Sequence, residues 1–310
     1  MERCTQRETW ATSETAFLKH LVHQGWGPER IHQEFTKEGI AKTHQSIRRK
    51  IQNERKRAPH EWHAHIAAPP DCAKRFDQQV KVEAERALLL FDIHAPFHDA
   101  DWLNRLIGLG LKRRVELVGI GGDLVDFSAF SKFGRQERVE AEDEIEAAAQ
   151  IVSTLAGEFK RVIYSGGNHE MRLPRKTDNL LELRDAMGMF VRAPNVTVTD
   201  YHWFELLSGG REWYIEHPKN ASVNSGVVPA KLCAKYHKNV AAGHGHTWGI
   251  TMDVSGTWYG VDVGVCADPP RMAYITKVHS TRPAVCQGAL LVEGGIPLLL
   301  SPDNIAAYGG

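Results

Sequence analysis

No apolar run in the 310 residues reaches the roughly 20 positions that a bilayer span needs. Residues 1–10 are charged, so no secretory leader is expected there. Cysteine is scarce: Cys4, Cys72, Cys233, Cys266 and Cys286 are odd in number, and no two stand as a Cys-x-x-Cys pair. That argues against a disulfide framework or a thiolate zinc site and points to a reducing, cytoplasmic setting. Net charge is missing too, with 38 Lys and Arg against 38 Asp and Glu. No internal repeat or low-complexity tract interrupts the chain. Apolar residues make up 42%, close to the globular norm, so a sizeable core is expected.

Charge and histidine are unevenly spread. Residues 1–60 hold 12 Lys and Arg against 7 Asp and Glu, leaving 26 against 31 for the rest. A basic head on an acidic body points to an anionic partner for the head. There are 16 histidines, several beside glycine where strands should end.

Three short helices are expected in the head. Residues 11–24 carry Phe17, Leu18, Leu21 and Val22 at helical spacing. After the break at Gly25 and Gly27, Pro28 suits a first helical position, and Ile31 and Phe35 share a face up to Gly39. Thr43 can cap a third helix with Ile47 and Ile51 as its apolar seam. Residues 1–58 thus read as a small all-α helix-turn-helix domain. Residues 59–85, with Pro59, Pro69 and Pro70, read as a linker.

From residue 86 the pattern alternates. Strands are expected at 87–91, 115–120, 161–164, 212–215 and 240–242. Helices are expected at 101–111, 137–156, 179–189 and 229–236, and a closing β segment at 250–300. This is an α/β domain over 86–310, a layered β-sandwich flanked by helices.

Five short motifs fall at the ends of those strands, where open α/β sheets place ligands. They are Asp92-Ile93-His94, Gly122-Asp123-Leu124-Val125-Asp126, Gly167-Asn168-His169-Glu170, an isolated His217, and Gly243-His244-Gly245-His246. Each alone has a bland reading as a turn, a cap or a core histidine. Their shared strand-end position is what makes them a site. Nitrogen and oxygen donors without thiolates suit Mn, Fe, Ni or Zn.

The motif set resembles the calcineurin-like metallophosphoesterases over about residues 86–300. The resemblance implies that Asp92, His94 and His246 hold one metal, that Asn168, His217 and His244 hold a second, and that Asp123 bridges them. It implies two divalent ions, Mn first with Fe, Zn or Ni as alternatives, sharing a hydroxide that attacks a phosphate mono- or diester. It also implies that His169 protonates the leaving oxygen, with Asp126 paired to it. Glu170 is open between a supporting and a solvated role, and Arg172 is a candidate for gripping a substrate phosphate.

Protein phosphatases of that family carry Arg where this chain has Phe127 and Gly167, which argues against a phosphoprotein substrate. The pattern is closer to phosphoesterases common in phage and bacterial genomes.

The head resembles Myb-like three-helix modules, through Trp10 and the basic last helix. Gln45, Arg49, Gln52 and Lys56 would form a polar stripe, with Arg48 beside it. Amide and guanidinium groups read bases while cations meet phosphates, so DNA is the partner that resemblance implies. The whole then reads as a phosphoesterase, with a DNA-directed nuclease or phosphatase as its finer form. The alternative is a nucleic-acid-binding protein on a non-catalytic phosphoesterase scaffold.

Overall fold

The computed structural model describes residues 9–65, 79–131, 139–191, 193–272 and 285–309. The chain divides into two units, Met1–Phe76 and Asp77–Gly310.

In the first unit, α1 (Thr12–His23), α2 (Pro28–Lys37) and α3 (His44–Arg57) follow the expected periodicity. The Thr43 side chain accepts from Ser46 N, 3.1 Å, and so caps α3. Leu18, Leu21, Val22, Ile31, Phe35, Ile47 and Ile51 form the core, with Phe17 stacked on Phe35 at 5.4 Å. The segment read as a linker is structured at both ends. Trp62 is buried in the three-helix core, because it completes an apolar seam that the helices leave open. Lys81–Glu83 forms a strand.

The second unit has two six-stranded sheets. One runs β12-β11-β2-β3-β4-β5, built from β2 (Arg86–Leu90), β3 (Leu117–Gly121), β4 (Arg161–Ser165), β5 (Val196–Thr199), β11 (Ala289–Glu293) and β12 (Ile296–Leu300). The other runs β1-β6-β7-β8-β10-β9. It comprises β1 (Lys81–Glu83), β6 (Trp203–Ser208), β7 (Arg211–Glu216), β8 (Asn239–Ala242), β9 (Trp248–Met252) and β10 (Tyr259–Val263). Strands β2 to β5 are mutually parallel.

The β2 run explains the layering. Leu88 and Leu90 join a cluster with α4 (Ala100–Lys112), α5 (Ala141–Glu158) and α7 (Leu183–Phe190). Their alternates Ala87, Leu89 and Phe91 pack between the sheets with Phe204, Trp213, Ile215 and Val261. A strand buried on both faces must be apolar throughout, which is why it shows no alternation. On the outer face of the second sheet, α8 (Val227–Tyr236) covers Val240 and Ala242 through Cys233. The order is therefore helices, sheet, sheet, helix, the layered sandwich that the alternation implied.

Some boundaries moved. The helix expected at 179 begins at Leu183, because Asp178 and Asn179 adopt left-handed φ values of 49° and 60°. Strands β1, β5 and β6 had no expectation; β1 and β5 are short, with three and four residues. The expected start of a helix at 137 lies outside the described residues; within them, α5 begins at Ala141. Among the described residues, no helix is long and apolar enough to cross a membrane.

Candidate metal centre

Both sheets deliver candidate ligands to the same end of the sandwich. Asp92 and His94 follow β2, Asp123 and Asp126 follow β3, and Asn168 and His169 follow β4. From the other sheet, His217 follows β7, while His244 and His246 follow β8. Asp92, His94, Asp123, His244 and His246 all have positive φ, between 49° and 67°. Such backbone is costly for these residues and persists only where its surroundings enforce it.

Two glycines show why the loops can close this tightly. A Cβ on Gly122 would lie 2.6 Å from Nδ1 of His217. A Cβ on Gly167 would lie 2.2 Å from Oδ1 of Asp123.

Ligating atoms fall into three groups, each within 4.8 Å: Asp92, His94 and His246; His94, Asp123 and His169; Asp123, His217 and His244. Asp123 belongs to two of them. Its Oδ2 is 3.2 Å from Nε2 of His217, while its Oδ1 accepts from His169 N at 2.8 Å. Asn168 Oδ1 lies 3.0 Å from the same His217 Nε2. Asp92 accepts from His244 N at 3.0 Å and stands 3.1 Å from Nε2 of His246. The structure thus brings together every residue expected to ligate.

In His94 and His217 the ring nitrogen facing away from the centre is engaged. Nδ1 of His94 lies 2.9 Å from Asp126 Oδ1, and Nδ1 of His217 lies 3.2 Å from Gly121 O. Each imidazole therefore points Nε2 inward, the arrangement of a histidine oriented as a metal ligand. Nε2 of His94 is buried and has no hydrogen-bond partner. An orphaned buried nitrogen is costly unless something else satisfies it. That orphan and the all-imidazole-and-oxygen donor set fit divalent ions.

The electrostatics follow from burial and pairing. Burial works against ionising Asp92, but His246, His94 and His217 outweigh it and hold the carboxyl far below the usual range. Asp123 and Asp126 behave likewise beside their histidines. Burial lowers His94 and His217, yet the facing carboxylates raise them to about 10 and about 9.

Asp126 meets His169, as expected, with Oδ1 3.0 Å from Nδ1, and its carbonyl is 2.8 Å from the same nitrogen. It also holds His94, which the sequence did not foretell. Arg172 reaches the site, but its nearest partners are protein atoms. Nη1 donates to Asp126 O at 2.7 Å, and Nη2 is 3.1 Å from Nε2 of His169.

Glu170, open on sequence, is buried and supporting. It accepts from Asp123 N (3.0 Å), Val125 N (3.1 Å), Gly167 N (2.7 Å) and Tyr164 Oη (2.7 Å). One carboxylate thus ties two motif loops together. Glu144, missed entirely, comes from α5 and accepts from Ser128 N (2.8 Å) and the Ser128 hydroxyl. It fixes the turn after Asp126, and burial raises its carboxyl. Nothing in the local sequence marks Tyr164 or Glu144, because their roles depend on distant partners.

In the first unit, Gln45, Arg48, Arg49, Gln52 and Lys56 are all exposed on α3. Lys50 pairs with Glu54 at 2.8 Å. Arg48, Arg49 and Lys56 have no carboxylate partner among the described residues.

No family model matches the sequence, and no curated protein matches it significantly. Among solved structures, the chain is similar to Yfce, a phosphoesterase from E. coli, at 13% identity and a TM-score of 0.38, covering 67% of this chain and 88% of that one. It is similar to Vps29 from Chaetomium thermophilum at 11% identity and a TM-score of 0.40, covering 70% and 94%. It is similar also to Vps29 complexed with Zn+2 from Entamoeba histolytica, at 14% identity and 0.35, covering 67% and 85%.

Proposed function

We propose that this chain is a metal-dependent phosphoesterase of the calcineurin-like kind, cleaving phosphate mono- or diesters. The observation that carries it is the meeting of ligating atoms from both sheets in three overlapping groups, each within 4.8 Å, two of which share Asp123. Asp92, His94 and His246 would hold one divalent ion, Asn168, His217 and His244 another, and Asp123 would touch both. Bound ions there supply Lewis acidity and an activated water at neutral pH.

The chain's own residues do the rest. Asp126 holds Nδ1 of His169, which fixes the ring and leaves Nε2 to carry a proton to the leaving oxygen. Arg172 stands 3.1 Å from that Nε2, so its guanidinium can meet an anionic oxygen brought there. Few carboxylates against two ions give a site that favours a phosphate anion.

The test is hydrolysis of p-nitrophenyl phosphate, bis-p-nitrophenyl phosphate and DNA with added Mn²⁺. Wild type should turn over at least one of them, and Asp123→Ala should not. Equal background from both proteins on all three would end the reading.

A DNA-directed form has its own support: exposed Arg48, Arg49 and Lys56 of α3, which have no carboxylate partner among the described residues, lie among exposed Gln45 and Gln52. As a nuclease or DNA phosphatase, the chain would use its helix-turn-helix to capture the strand. A binding protein on a dead scaffold would instead hold duplex tightly with no metal, which elemental analysis separates.

A further inference from the structure

The carbonyls that meet Arg172 sit on a turn of costly backbone. Phe127 holds φ at 48°, a left-handed value that a bulky side chain adopts only under constraint. Asp126 O and Phe127 O accept from Nη1 of Arg172 at 2.7 and 3.4 Å, with Asp126 Oδ2 3.8 Å from the same nitrogen. Asp126 O also stands 2.8 Å from Nδ1 of His169. Arg172 thus faces His169 at 3.1 Å, Nη2 to Nε2, through contacts that this turn dictates.

What constrains the turn comes from another element. Glu144 lies in the first turn of α5 and is fully buried. Its Oε1 accepts from Ser128 N at 2.8 Å and from the Ser128 hydroxyl. Both donors of one residue are tied to one oxygen, where the short helix Ser128–Phe130 begins. The other oxygen, Oε2, is buried with no hydrogen-bond partner among the described residues. A buried carboxylate with one oxygen idle costs stability, so a stabilising role alone does not account for an acid at this place.

We propose that Glu144 is a positioning residue for the leaving-group end of the reaction. By holding Ser128 it sets the Asp126–Phe127 turn, and the turn sets His169 and Arg172 against the departing oxygen. The inference rests on the phosphoesterase reading above. These hydrogen bonds of Glu144 go to the turn and not to a candidate metal ligand, so its effect acts through orientation. As the P–O bond breaks, the proton passes from Nε2 of His169 to the leaving oxygen, and a misplaced turn slows that transfer most.

The experiment compares p-nitrophenyl with phenyl phosphates, each as mono- and diester, on the full chain with saturating Mn²⁺. p-Nitrophenolate departs with little help, whereas phenolate needs the proton. In Glu144→Ala the ratio of kcat on the phenyl ester to kcat on the p-nitrophenyl ester should fall about tenfold, part of the roughly 100-fold that an oriented acid supplies. Ser128→Ala removes one of the two donors and should move the ratio the same way by less. Glu144→Gln keeps an acceptor oxygen for Ser128 and should hold the ratio within about twofold of wild type. A merely structural defect lowers both rates together. An unchanged ratio in Glu144→Ala and Ser128→Ala overturns the proposal, and so does an equal fall in Glu144→Ala and Glu144→Gln, which would assign the effect to the charge. If Glu144→Ala does not fold, Ser128→Ala decides.

Imidazole nitrogen NMR spectra of the metal-free chain need no turnover. The signals of His94 and His169, whose rings Asp126 holds, should move in Glu144→Ala and Ser128→Ala. Those of His217, held by Gly121 O, should stay. Unmoved His94 and His169 signals remove the brace. If wild type hydrolyses nothing, the phosphoesterase reading falls by itself, and these spectra alone decide whether Glu144 sets the turn.

Discussion

Oδ1 of Asp126 stands 2.9 Å from Nδ1 of His94, behind the ring nitrogen that faces the candidate metal centre. The same oxygen is 3.0 Å from Nδ1 of His169. One carboxylate therefore orients a candidate metal ligand and a candidate general acid together.

Asp126→Asn should harm two functions at once. Loss of a ligand's supporting carboxylate costs about 10–100-fold in metal affinity. Loss of oriented acid catalysis costs about 100-fold or more in kcat. Metal titration and saturating-metal kinetics should each show its share. A variant with normal kcat at saturating Mn²⁺ would show that His169 does not depend on Asp126.

Glu170→Gln replaces one acceptor oxygen with an amide that faces donors. Four groups now converge on Glu170, so at least one buried hydrogen bond must break. The expected cost is about 1–3 kcal/mol in stability. Chemical denaturation of the metal-free protein measures it, and a change near zero would mean that the loops hold without this carboxylate. Tyr164→Phe removes only one of the four bonds and should cost less.

Stability of the chelated protein should depend on pH in a defined direction. His94 and His217 are raised above the ordinary histidine value, to about 10 and about 9. Their contribution is fully present below pH 6.5 and is lost as pH rises through 9 to 10. Melting in EDTA should therefore fall by several degrees over that window. With saturating Mn²⁺ the ions replace the protons, and the fall should be smaller. Parallel curves with and without metal would contradict the ligand assignment.

Arg48→Ala/Arg49→Ala/Lys56→Ala should weaken duplex DNA binding at low salt. The slope of log K against log salt should shrink by about 0.9 for each phosphate contact removed. Fluorescence anisotropy across a salt series reads both. Unchanged affinity would assign α3 to another partner.

Periodicity located α1 to α3, because Leu18, Val22, Ile31, Phe35, Ile47 and Ile51 recur at helical spacing, and Thr43 caps the start of α3. The ligand motifs were legible for a different reason. Metal donors are rare residue types, and Gly beside them marks places where backbone must approach closely, as Gly122 approaches His217. Short edge strands such as β1 and β5 were not legible, since four residues or fewer give too little alternation to read.

The sequence by itself determined which side chains could bind metal and that strands would present them, since both are properties of residue type and local spacing. Tertiary structure alone decided that Asp126 would serve His94 as well as His169, that Glu170 would gather four donors, and that Trp62 would enter a core. Each of these depends on groups far apart in the chain meeting in a low-dielectric interior. There a polar atom left without a partner is costly, and no local pattern encodes which partner it will meet.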